Sequence, residues 1–107
     1  MVQQNIDKII SNYLSKSIEF SEENLLATKL SLLDTLGCIY NASTYEDPMR
    51  FATRGKYGSN TNPFLVINDM QSSKEIARYL SILTRWFDYN DTFLAKEWAH
   101  PSDNIGT

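Results

Sequence analysis

The chain has 107 residues, of which 42% are apolar and 21% charged, with 13 acidic side chains against 10 basic ones and a net charge of −3. That balance suits one small globular domain and excludes both a two-domain enzyme and a disordered segment. The acidic excess, with no Lys/Arg cluster along the sequence, argues against nucleic acid as a partner, and no apolar run approaches the ~18 residues of a membrane span.

Ile6, Ile9, Ile10, Tyr13 and Leu14 recur at helical spacing and predict an amphipathic helix of about three turns that starts near Gln4 or Asn5. Ile18 and Phe20 fall in a connector. Ser21 reads as an N-cap, followed by Glu22 and Glu23 in a first turn that favours negative charge. The next helix has a leucine stripe: Leu25, Leu26, Leu32, Leu33, Leu36 and Tyr40, widened by Leu30 and Ile39. Its expected role is core, covered on more than one side. Gly37 lies within it at a cost of about 1 kcal/mol, which points to close approach by a neighbouring helix or to a frayed end.

Asp47 and Pro48 predict a short helix running to Arg54, with Asp47 as its cap. Gly55, Gly58, Asn60, Asn62 and Pro63 mark a loop, and Phe64 to Ile67 a brief extended stretch. Ser72 and Glu75 have the spacing of a capping box. Ile76, Tyr79, Leu80, Leu83, Trp86 and Phe87 then share a helical face ending near Asp88. The expected architecture is all-α with a loop-rich middle.

Cys38 is the single cysteine, which excludes an internal disulfide and an iron–sulfur cluster held by this chain alone. With a Met-Val-Gln-Gln-Asn start that lacks signal-peptide pattern, the expected location is the cytoplasm.

The chemistry-bearing side chains crowd into residues 85–104, which hold both tryptophans and the only histidine. Asp88, Asp91 and Thr92 would share a helical face if the last helix continued, and Pro101 restrains His100 to an extended backbone. Aromatic walls beside carboxylates and an imidazole are the setting in which pKa values shift. The plainer readings stay open: solvated helix-end aspartates, a capping threonine, a structural histidine, tryptophans in a core or interface. The spacing of Asp88, Asp91, Glu97 and His100 matches no zinc pattern, so no metal is expected.

The stretch from Trp86 to Gly106, with Asp-Tyr-Asn-Asp-Thr and Glu-Trp-Ala-His-Pro-Ser-Asp-Asn-Ile-Gly, resembles the signature of the 2-methylcitrate dehydratase (MmgE/PrpD) family. Leu32-Leu33-Asp34-Thr35-Leu36-Gly37-Cys38 resembles the buried N-terminal helix of that family. The resemblance spans about residues 5 to 106 and implies that 1–107 is the incomplete N-terminal part of the family's helical domain. It implies an active site lined by Asp88, Thr92 and His100 with Asp91 in support, a tricarboxylate substrate, no cofactor and a homodimeric full-length enzyme of the methylcitrate cycle. Seven residues lie between Thr92 and His100, which resembles the dehydratase branch rather than the cis-aconitate decarboxylases. Lys96 and Ala99 depart from the residues expected there, which bears on substrate preference.

Between residues 85 and 104 four acids (Asp88, Asp91, Glu97, Asp103) face two bases (Arg85, Lys96), and such a lining cannot hold a tricarboxylate by itself. The cations are expected from sequence beyond Thr107, and the 107 residues alone are expected to be inactive. Two other readings compete: a family member acting on a related tricarboxylate by decarboxylation or isomerisation, and a small helical module whose exposed aromatics bind a partner protein.

Overall fold

Capping serines start the two helices that carry the fold. In the computed structural model, which describes residues 2–106, Ser21 is extended and its hydroxyl accepts the Asn24 N–H at 3.1 Å, opening α2 (Glu22–Ser43). Ser72 does the same for the Glu75 N–H at 3.2 Å and opens α4 (Ser73–Arg85). The Glu75 carboxylate reaches back to the Gln71 N–H at 3.2 Å, a capping box displaced by one residue.

The other described helices are α1 (Val2–Ser15) and α3 (Glu46–Ala52). Against expectation, α3 begins before Asp47: Tyr45 is its cap, without a side-chain bond, and Pro48 falls in the first turn, where a missing N–H is harmless. It ends at Ala52 because Arg54 (φ 55°) and Gly55 (φ 81°) turn left-handed, and the Gly55 N–H returns to the Arg50 carbonyl at 2.7 Å. Phe64 to Ile67 is not extended. The Asn62 side chain accepts the Phe64 N–H at 3.0 Å, and that local turn leads into a 3-10 turn at Val66–Asp69. Beyond α4 come an antiparallel pair, β1 (Phe93–Leu94) and β2 (Trp98–Ala99), and a second 3-10 turn at Pro101–Asn104. The fold is mostly α, as expected.

The core lies where α2, α3 and α4 meet: Ile39, Ala42, Met49, Ala52, Val66, Tyr79 and Leu83. Tyr79 is fully buried, and its hydroxyl donates to the Pro63 carbonyl at 2.7 Å, fixing the loop ahead of the first 3-10 turn. Burial pushes its phenol up to about 12.

The leucine stripe of α2 is not in that core. Leu25, Leu26, Leu30, Leu32, Leu33, Leu36 and Tyr40 are all exposed, Leu33 by 66%. The buried face is Thr35, Cys38, Ile39, Ala42 and Ser43, small side chains apart from Ile39. Small residues let α4 and the second 3-10 turn approach the helix closely, and the leucines are left on the other side. Gly37 is on the open side too; a Cβ there would meet nothing within 4 Å, so the expected close approach is absent. The apolar residues of α1 from Ile6 to Leu14 are likewise exposed. The radius of gyration is 17.1 Å, against about 13 Å for a compact chain of this length. The accessible surface is 8311 Å², where about 6,100 Å² is typical of a monomer of this mass.

Candidate active site

The site begins where α4 stops. The helix ends at Arg85, short of Asp88, and Asp88 takes a left-handed backbone (φ 56°) with its N–H on the Arg85 carbonyl at 3.1 Å. Asp tolerates this conformation better than most residues. The helix therefore does not carry Asp88 and Thr92 on one face. The reversal instead sends residues 90–92 back toward α2.

Arg85 holds the reversed segment. Its guanidinium meets Asp88 at 3.0 Å, donates to the buried Asn90 side-chain oxygen at 3.2 Å, and lies 4.0 Å from Asp103. Asn90 in turn donates to the Ser102 hydroxyl at 2.8 Å, tying the start of the β1–β2 hairpin to the 3-10 turn beyond it.

Asp91 sits at the centre. One carboxylate oxygen accepts the Ser31 hydroxyl of α2 at 2.6 Å, the other accepts the Ser102 N–H at 3.1 Å, and the Asp91 N–H donates to the Asp34 carboxylate at 3.0 Å. Partial burial works against its charge. Hydrogen bonds from Ser102 and Ser31, together with the nearby His100, outweigh that and hold the carboxyl below its ordinary value. Beneath it the buried Cys38 thiol is pushed up by burial and by the charges of Asp34 and Asp91, so it stays protonated and unreactive.

His100 packs onto the same loop. Its Nδ1 lies 2.6 Å from the Asp91 carbonyl oxygen and 3.4 Å from the Thr92 hydroxyl. A carbonyl can only accept, so Nδ1 carries a proton, and Nε2 is the ring nitrogen left without a protein partner among the described hydrogen bonds. The Trp98 ring stands edge-on to the imidazole, with centroids 5.5 Å apart at 87°. A recess of about 430 Å³ opens beside Asp91, lined by Thr28, Ser31, Leu32, Pro101 and Ile105 among others.

Of the residues singled out from sequence, Asp91, Thr92 and His100 come together. Asp88 is held apart from them, exposed and paired with Arg85. Ser31, Asp34, Arg85, Asn90 and Ser102 complete the cluster and were not identified from sequence. A signal for the α2 pair existed: Ser31, Asp34, Thr35 and Cys38 are a polar stripe at helical spacing inside a leucine-rich helix. Among the described residues, no three His, Cys, Asp or Glu side chains come together as a metal site. No described helix is long and apolar enough to cross a membrane.

The MmgE/PrpD N-terminal domain family matches residues 7–107. A probable 2-methylcitrate dehydratase of Saccharomyces cerevisiae is 32% identical over 108 residues, covering 95% of this chain and 21% of that protein. 2-Methylcitrate dehydratases of Salmonella typhi and Escherichia coli are 37% and 36% identical over 83 residues, each covering 70% of this chain and 16% of the relative. The chain thus spans about a fifth or less of the length of these relatives. No solved structure matches it.

Proposed function

The chain belongs to the MmgE/PrpD family, and on that premise we propose that these 107 residues are the N-terminal part of a helical domain in a hydro-lyase that dehydrates 2-methylcitrate to 2-methyl-cis-aconitate. One observation carries the reading: an imidazole whose Nδ1–H is tied to the Asp91 carbonyl leaves Nε2 as a base, with the Thr92 hydroxyl beside it. The names of the relatives supply the reaction, and the large exposed apolar surface supports a role inside a larger, homodimeric assembly.

Dehydration removes a proton from the carbon beside a carboxylate while the C–O bond of the tertiary alcohol breaks. His100 Nε2 takes that proton, the C=C bond forms, and the hydroxyl leaves as water after a second group protonates it. Thr92 donates a hydrogen bond to a substrate oxygen. Asp91 positions the His100 loop, and Asp88, paired with Arg85 away from His100, helps fix the turn that returns residues 90–92 toward α2. Four carboxylates against Arg85 and Lys96 repel a tricarboxylate, and Arg85 is already engaged, so the cations that hold the substrate lie elsewhere in the enzyme.

The test is a chimera in which these residues replace the matching segment of the Saccharomyces cerevisiae relative, assayed for alkene formation from 2-methylcitrate. His100→Asn in the chimera should lower kcat by about 10²–10⁴, and the 107 residues alone should give no turnover. Unchanged turnover with His100→Asn removes His100 from the mechanism. Turnover on cis-aconitate in place of 2-methylcitrate would move the chain to another branch of the family.

A further inference from the structure

The sequence contains no run of basic residues, yet the fold assembles one. Arg50 in the last turn of α3, Arg54 in the left-handed turn after it, and Arg78 on α4 line a groove of about 710 Å³ together with Asp47, Phe51, Gly55 and Trp86. Three guanidiniums against one carboxylate give this lining a net +2 on a chain whose total is −3. The volume falls within the ~300–1,000 Å³ common to small-molecule sites.

The parts of the groove are held in place. Arg78 donates to the Ala52 carbonyl at 3.0 Å and the Phe51 carbonyl at 3.4 Å, and its guanidinium lies 5.8 Å from the Phe51 ring centre. Phe51 and Trp86 adjoin at 5.9 Å between centroids and form one aromatic wall. Arg50 has only an exposed contact with Glu46 at 3.5 Å, and among the described residues Arg54 has no carboxylate partner. Arg54 is also one of the few non-glycine residues at positive φ (55°), a conformation that costs about 1 kcal/mol or more. The groove is separate from the Asp91–His100 cluster. None of its lining residues takes part in the hydrogen bonds of that cluster.

We propose that this groove binds a small organic anion with two negative charges and a flat apolar body, the guanidiniums taking the charges and the Phe51–Trp86 wall taking the body. Guanidinium forks match phosphate and carboxylate oxygens two at a time and stack on aromatic faces, so the same wall serves ligand and arginine together. Asp47 at the rim discriminates against more highly charged anions.

Phenyl phosphate is the probe, with inorganic phosphate and phenol as its two halves. The 107-residue chain carrying Trp98→Phe has Trp86 as its only indole, which reports occupancy of the groove by fluorescence. Phenyl phosphate should change that emission saturably, with a half-saturation about tenfold lower than that of inorganic phosphate because the ring covers apolar wall. Binding should weaken on raising salt from 50 to 200 mM. Arg54→Asn keeps the left-handed turn, since Asn accepts positive φ, and should weaken binding about tenfold. Asp47→Asn should tighten it about threefold, a gain that misfolding cannot mimic. The proposal fails if phenol acts as well as phenyl phosphate, if the ring brings no gain over inorganic phosphate, or if Arg54→Asn and Asp47→Asn both leave the half-saturation within twofold.

Discussion

The load on Asp91 can be measured by two substitutions that differ in what they leave behind. Asp91→Ala strips partners from the Ser31 hydroxyl and the Ser102 N–H, both partly buried. A hydrogen bond to a charged acceptor is worth about 1.5–3 kcal/mol when dry. Solvent at this half-open site cuts that to about 1 kcal/mol each, for an expected loss of about 2 kcal/mol. At about 4–8 °C per kcal/mol, the melting temperature should fall by roughly 8–16 °C. Asp91→Asn behaves differently. Its oxygen still accepts the Ser102 N–H, and the Ser31 hydroxyl can turn to accept from the amide nitrogen, so only the charge is lost, at about 0.5–1 kcal/mol.

The pH profile adds an independent check. A carboxyl held below its ordinary value binds its proton less readily in the folded chain than in the unfolded one. Its stabilisation is therefore complete above the unfolded value of about 4 and is lost as the pH falls through the depressed folded value. Thermal melts of wild type and Asp91→Asn between pH 7 and 2.5 should converge at the acid end. Equal losses for Ala and Asn at pH 7, an Ala variant within 0.5 kcal/mol of wild type, or melting curves that stay parallel into acid would refute this account of the site.

Tyr79→Phe should cost about 1–3 kcal/mol by leaving the Pro63 carbonyl unpaired, read by urea unfolding. With the Tyr79 phenol at about 12 when folded and about 10 when unfolded, wild-type stability should fall by about 2 kcal/mol between pH 10 and 12, and Tyr79→Phe should lack that fall. Gly106→Ala places a Cβ 2.7 Å from the Ser81 hydroxyl and should destabilise by about 1 kcal/mol, recovered when combined with Ser81→Ala. Leu83→Ala should cost about 2–5 kcal/mol in the core, whereas Leu33→Lys on the exposed face of α2 should shift stability by less than about 0.5 kcal/mol.

What the sequence made legible follows from the range of the forces involved. Ser21, Ser72 and Glu75 could be read because a cap is settled within four residues. Asp88 could not, since its left-handed turn and its pairing with Arg85 replace the helical turn that periodicity extends through Phe87. His100 and Thr92 were marked by their chemistry and do meet. Asp91, whose carbonyl His100 holds, is anchored 60 residues away at Ser31 on α2, and no local pattern carries a contact of that span. The face of α2 was misread for a different reason. A stripe of leucines signals that a helix buries that side somewhere, and gives no sign of what covers it.

That ambiguity bears on the site itself, because α2 has two working faces. Its small and polar side holds Ser31 and Asp34 against the Asp91 loop, and its leucines lie on the side left open. The excess of accessible surface over a compact monomer is about 2,200 Å², comparable to the total area a stable protein interface removes from water. Any protein surface that docks on the leucines fixes the position of α2, and through Ser31 and Asp34 it also fixes the loop that carries Thr92 and His100. Covering the leucine face therefore stiffens, from its far side, the helix from which Ser31 and Asp34 reach across about 60 residues to hold the Asp91 loop.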